Sequence, residues 1–194
     1  GESAAVVTLI TRNNGRYSGL VRGGSGSRAR GIYQTGNLVS ADWRARLSEH
    51  LGTMSCELQR PYAAALMTER LPLLALLSAA ALLERLLPER EPYPNTFDRF
   101  RALIESLGDG PDWAQGYVHW ERGLLDDLGY GLDLSACAAT GTTDDLIYVS
   151  PRTGCAVSAA AGEPYRDKLL NLPGFFSGST DRRTADDIRD GLRI

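Results

Sequence analysis

Seven of the chain's 20 arginines fall within its first 46 residues, and three of them lie in one run, Val21-Arg22-Gly23-Gly24-Ser25-Gly26-Ser27-Arg28-Ala29-Arg30. Glycines let a backbone come close to a bulky anion, and guanidinium groups fork onto phosphate oxygens. The chemistry on offer is phosphate binding, with no bond made or broken. Arg12, Arg16, Arg44 and Arg46 add charge nearby, and Tyr17 and Trp43 offer faces on which bases stack. Residues 1–48 hold seven Arg against Glu2 and Asp42, a net +5, whereas residues 49–194 carry 14 basic and 22 acidic side chains, a net −8. The overall charge of −3 conceals a basic amino-terminal part suited to a polyanion. Taken by charge alone, a phosphate-binding loop and a solvated hairpin loop are both open.

Other chemistries find less support. The single lysine, Lys168, follows no glycine-rich loop, so a Walker A motif is lacking and nucleotide-driven work is disfavoured. Cys56, Cys137 and Cys155 are too few and odd in number for a disulfide framework, and a reducing cytoplasm is expected. The residues three after Cys137 and Cys155 are Thr140 and Ser158, so neither forms a C-x₂-C pair; buried thiols are expected there, with no metal and no cofactor. His119 and Glu121 point in different directions on a helix, and no nucleophile elbow or HExxH motif is present, so no catalytic residue is nominated. Leu71–Leu83 is apolar for 13 residues, short of a bilayer span, and Gly1-Glu2-Ser3 lacks the basic start of a signal peptide.

The elements that must position the arginines read as strands, then helices. Ala5–Thr11 is rich in Val, Ile and Thr; Asn13-Asn14-Gly15 signals a hairpin turn, and Arg16–Arg22 is the return strand. Leu38–Leu47 and Met54–Leu58 are further strands, which suggests a small barrel. From Pro61 the pattern turns helical. Residues 62–87 are dominated by Ala and Leu, which favour helix, and residues 97–107 and 113–128 read as two helices, the last with Trp113, Tyr117 and Trp120 as core. Residues 137–158 read as a small β unit, and Tyr165–Leu172 and Ala185–Leu192 as short helices.

In series, these segments resemble the bacterial RecO family of DNA repair proteins. The resemblance is carried by Val6-Val7-Thr8-Leu9-Ile10-Thr11 with Gly15-Arg16, by Val21-Arg22-Gly23, and by Gly36-Asn37-Leu38-Val39 leading to Trp43-Arg44-Ala45-Arg46. It continues through Tyr117-Val118-His119-Trp120-Glu121, Leu124-Leu125, Leu128-Gly129-Tyr130-Gly131, Leu134-Ser135-Ala136-Cys137 and Tyr148-Val149-Ser150-Pro151 with Gly154. It implies an α+β chain: an N-terminal OB-fold-like small β-barrel at residues 1–60, then a mainly helical domain at 61–194 with a degenerate zinc-finger-like β insert at about 137–158.

The same resemblance implies a non-enzymatic mediator. It binds single- and double-stranded DNA, anneals strands, partners RecR, contacts the C-terminal tail of single-stranded DNA-binding protein and helps load RecA, with no membrane involved. Arg12, Arg16, Arg22, Arg28, Arg30, Arg44 and Arg46 are the DNA-binding candidates, and Arg122 and Leu125 the partner-tail candidates. Zinc-binding members carry two C-x₂-C pairs, and here only Cys137 stands at such a position. The family's first barrel strand is expected before Gly1, and further helices beyond Ile194. The competing expectation is a protein-interaction scaffold that meets an acidic protein without touching DNA.

Overall fold

The computed structural model describes residues 4–194 except 25, 48–49, 111 and 178–183, and of Arg28 it describes the backbone alone. The chain folds as two compact units, Gly1–Trp113 and Ala114–Ile194. The mixed α+β class read from the sequence is the one observed, with two sheets and seven α-helices among the described residues.

In the first unit, β1 (Ala5–Thr11) and β2 (Gly15–Val21) pair antiparallel along their whole length, from Ala5↔Val21 to Thr11↔Gly15. The turn closes because Gly15 accepts φ of 74° and because the Thr11 hydroxyl bonds twice. It accepts the Asn14 N–H at 3.1 Å and donates to the Gly15 carbonyl at 2.9 Å. A short helix, α1 (Ser27–Ile32), leads to β3 (Leu38–Arg44) and β4 (Thr53–Arg60), which pair antiparallel. Strand order is β1-β2-β4-β3, with β4 parallel to β2 through Leu20↔Thr53. This is an OB-like order, in which the last strand slots between two earlier ones. The glycine-rich run, read as a loop, is helical from Ser27: beyond the extended Gly26, Arg-Ala-Arg favours helix.

The helix-favouring stretch 62–87 forms two helices, α2 (Tyr62–Leu66) and α3 (Arg70–Leu86). Pro72 has no N–H to give to the carbonyl four residues back, so the second helix must begin with Pro72 in its first turn. α3 buries Pro72, Ala75, Leu76, Ala79 and Leu83. Leu76 and Leu83 are fully enclosed, each side chain contributing roughly 1.5–3 kcal/mol by leaving water. α4 (Pro94–Leu107) adds Leu103, Ile104 and Leu107 to the core. Gly36 lets the β3 approach lie on α3, because a Cβ there would stand 2.6 Å from Leu76 Cδ2.

The second unit holds α5 (Trp113–Asp127), then β5 (Leu146–Val149), β6 (Ala156–Ser158), α6 (Ala159–Gly162), β7 (Leu170–Asn171) and α7 (Ala185–Gly191). Its sheet order is β6-β5-β7. The Ser150–Gly154 turn forms as read, with the Gly154 N–H donating to the Ser150 carbonyl at 2.8 Å. Tyr165–Leu172 is not a helix throughout. A 3₁₀ segment, Glu163–Lys168, gives way to β7, because Leu170 and Asn171 pair with Val149 and Tyr148, and tertiary pairing overrides local preference. α7 is capped by a reciprocal bond set between Thr184 and Asp187.

Segment 87–91 crosses the start of the hairpin so closely that a Cβ at Gly15 would strike the Glu91 backbone. Gly15→Ala therefore meets both a left-handed φ and a rigid obstacle, and should lower unfolding free energy by about 2–4 kcal/mol in denaturant titration. Gly31→Ala, in α1 with open space around it, should change stability by less than about 1 kcal/mol.

Candidate nucleic-acid interface

The structure sorts the amino-terminal arginines by position on the sheet. At the hairpin end, Arg12 is held bidentate by Asp98, with Nε–Oδ1 and Nη2–Oδ2 both 3.0 Å. That carboxylate raises the arginine's pKa above its ordinary value, through hydrogen bonding first and charge second. Arg16 donates from Nε to the Leu87 carbonyl at 2.9 Å and reaches Glu89 at 3.4 Å, with its side chain 18% exposed. These two arginines tie the sheet to residues far along the chain.

At the opposite end, Leu20, Thr53 and Arg44 are neighbours across three strands. Arg22 follows β2 here, Arg44 ends β3, and Arg46 lies two residues beyond it. Arg44 pairs with Asp42 at 2.7 Å while keeping 80% of its side chain exposed. Arg22 and Arg46 are exposed and make no ion pair with a described residue, and neither does the exposed Arg30 in the last turn of α1. The side chain of Arg28 lies outside the described residues, as does Ser25. The turn at Arg22 depends on Gly23, at φ 71°, whose carbonyl accepts the Gly26 N–H at 3.0 Å.

Tyr17 and Trp43 do come together, but as structure. Their centroids are 5.2 Å apart and nearly perpendicular. The Trp43 indole N–H is shared between the Ser18 and Leu51 carbonyls at 3.1 and 3.0 Å. Arg90 lies over both rings, 5.5 and 5.4 Å from their centroids. Arg90 was not among the residues singled out from sequence; its one local signal is an arginine with φ of 63° in the proline-rich break, and φ is invisible to sequence.

In the second unit, Arg122 and Leu125 are half-buried on α5. The Arg122 guanidinium stands 5.0 Å over the Phe176 ring, and its Nε is buried without a hydrogen-bond partner among the described residues. His119 keeps an exposed edge on α5, with its ring 5.2 and 5.1 Å from Phe175 and Phe176. Burial, and then Arg122, lower its pKa. Tyr117 and Trp120 are core, as read.

Cys137 is 3% exposed, and its sulfur accepts the Ser158 N–H at 3.3 Å. The Ser158 and Thr140 hydroxyls also bond to it, bringing the thiol down to about 6. The two hydroxyl residues three positions after each cysteine thus converge on one sulfur. Among the described residues no three His, Cys, Asp or Glu side chains cluster as metal ligands.

Comparison with known proteins covers the whole chain. The family model described as recombination protein O N terminal matches residues 1–62, and the one described as recombination protein O C terminal matches residues 67–194. The chain is 52% identical over 196 residues to the DNA repair protein RecO of Rhodospirillum centenum, covering all of this chain and 78% of that protein. It is 48% identical over 197 residues to that of Afipia carboxidovorans and 47% over 194 residues to that of Phenylobacterium zucineum, with 79% and 80% of those proteins covered.

The Cys137 thiolate should titrate near pH 6, read from ultraviolet thiolate absorbance that Cys137→Ala removes. A folded-state pKa below the unfolded one adds stability at high pH that is lost as pH falls through about 6. Ser158→Ala should raise the pKa and flatten the rise in stability between that value and the ordinary thiol range.

Proposed function

The chain belongs to the recombination protein O family of DNA repair proteins, and from that premise we propose that it is a non-enzymatic mediator that binds DNA through the open end of its first sheet. The observation that carries this reading is the collection of exposed, largely unpaired arginines, Arg22, Arg30, Arg44 and Arg46, in the basic part of an otherwise acidic chain. Arg28 joins them by position in the sequence. Such groups neutralise backbone phosphates without reading bases, which suits a protein that handles single and double strands and helps complementary strands anneal. Arg12 and Arg16 serve this function indirectly, by fixing the sheet.

The amino-terminal 60 residues are the proposed DNA-binding module, and residues 61–194 the partner module. On α5, Arg122 above an aromatic floor offers a cation beside an apolar surface, which suits the carboxyl end of a peptide. The tail of single-stranded DNA-binding protein is the proposed ligand there, with Leu125 at the rim. RecR is the proposed partner in loading RecA. Work of this kind belongs in the cytoplasm, at the nucleoid; among the described residues no helix is long and apolar enough to cross a membrane.

Fluorescence anisotropy with labelled single-stranded DNA tests the first proposal. Affinity should fall with salt at a log–log slope of about −0.7 per phosphate contact. Arg22→Ala combined with Arg46→Ala should reduce that slope by about 1.4 units, while Arg12→Ala lowers stability and leaves it nearly unchanged. A slope indifferent to salt and to the double variant would instead favour a scaffold that never touches DNA. For the second proposal, Arg122→Ala should weaken a tail peptide by roughly tenfold, and peptide binding untouched by that change rejects the site.

A further inference from the structure

Three consecutive carbonyls at the end of the loop between β3 and β4 are each taken by a donor from a different segment. The Gly52 carbonyl accepts the Leu20 N–H of β2, and the Leu51 carbonyl accepts the Trp43 indole N–H of β3, both at 3.0 Å. The His50 carbonyl accepts from Arg90 Nη2, also at 3.0 Å. The first two donors belong to the sheet itself. The third comes from segment 87–91, 40 positions further along the chain.

Arg90 is held in an unusual conformation to make that reach. Its φ of 63° lies in the left-handed region, which a residue with a Cβ seldom enters. The backbone is fixed there by its N–H, which donates to the Arg16 carbonyl at 2.9 Å. The guanidinium then covers the Tyr17 and Trp43 rings and meets the His50 carbonyl through a charge-assisted hydrogen bond. One cation thus holds both the His50 carbonyl and the indole that holds its neighbour.

The restraint is passed along the loop. The His50 N–H donates to the Leu47 carbonyl at 3.1 Å, and Leu47 directly follows Arg46. On the other side, the Thr53 hydroxyl donates to the Arg44 carbonyl at 3.4 Å. Gly52, at φ 69°, lies so close to Trp43 that a Cβ would stand 2.6 Å from its Nε1. Arg44 and Arg46 are exposed, whereas Arg90 is half-buried and engaged with a carbonyl and two rings. Arg90 is therefore placed to hold the loop, and Arg44 and Arg46 to meet a phosphate.

We propose that Arg90 is a positioning residue for DNA binding, which acts through the His50 carbonyl to present Arg44 and Arg46 and makes no phosphate contact of its own. This rests on the DNA-binding reading above.

Arg90→Gly in the 194-residue chain tests it, because glycine accepts the left-handed φ and keeps the backbone bond to Arg16 while losing the guanidinium. Without DNA, the His50 and Leu20 amides should exchange hydrogen about tenfold faster, while the amides that join β1 to β2 keep their protection and the circular dichroism spectrum is unchanged. Arg90→Gly should also weaken labelled single-stranded DNA by roughly fivefold at fixed low salt. In a chain already lacking both Arg44 and Arg46 through alanine substitution, the same change should weaken it by less than about 1.5-fold, the non-additivity of groups that act as one. Exchange unaltered by Arg90→Gly, or a full loss of affinity that persists without Arg44 and Arg46, would overturn the proposal. If removing Arg44 and Arg46 leaves affinity unchanged, the DNA-binding reading of those arginines fails and this role fails with it. That outcome is distinguishable because the exchange result is obtained without DNA.

Discussion

The first unit depends on a strap, residues 87–91, drawn across the turn end of the β1–β2 hairpin. Three bonds fasten it. Arg16 donates from Nε to the Leu87 carbonyl, the Arg90 N–H donates to the Arg16 carbonyl at 2.9 Å, and Arg90 covers the Tyr17–Trp43 pair. Gly15 makes the crossing possible by offering no Cβ to the Glu91 backbone. An OB-like sheet whose β1 and β3 each pair on one side only, among the described residues, has little to hold its curvature. Here the curvature is fixed by helix-borne backbone on one side and by Asp98 gripping Arg12 on the other. With that end fastened, the exposed arginines lie at the other end of the sheet.

Much of this was legible in the chain. Ala5–Thr11 is a strand with the bounds its β-branched residues suggest, and the Asn-Gly turn lies where expected. The basic segment was visible as charge, but its division into structural and exposed arginines was not. The partner of Arg12 is 86 residues away and that of Arg16 more than 70, and no local pattern encodes such pairings. Trp43 shows the same limit. An aromatic among arginines suggests stacking, yet its N–H is held by two carbonyls that only the fold brings together. Pro72 carried the information that splits α2 from α3, and the strong Ala/Leu signal around it masked that break. β7 was lost because two residues become a strand only through a sheet formed elsewhere.

The Cys137 site has a physical logic of its own. Thr140 and Ser158 occupy the third position after each cysteine, and both hydroxyls turn toward one sulfur. A buried thiol that accepts from the Ser158 and Thr140 hydroxyls and from the Ser158 N–H is favoured as the anion. In the first unit the analogous centre is aromatic and cationic.

The strap also has a consequence for synthesis. The hairpin is complete once Val21 has been made, but its clasp requires residues 87–91 and its second anchor requires Asp98. At ordinary elongation rates the ribosome extends the chain for several seconds before either arrives. During that interval the hairpin lacks both fastenings. The turn of the hairpin is therefore held in place only after α4 has begun, so the first unit is completed late in its own synthesis.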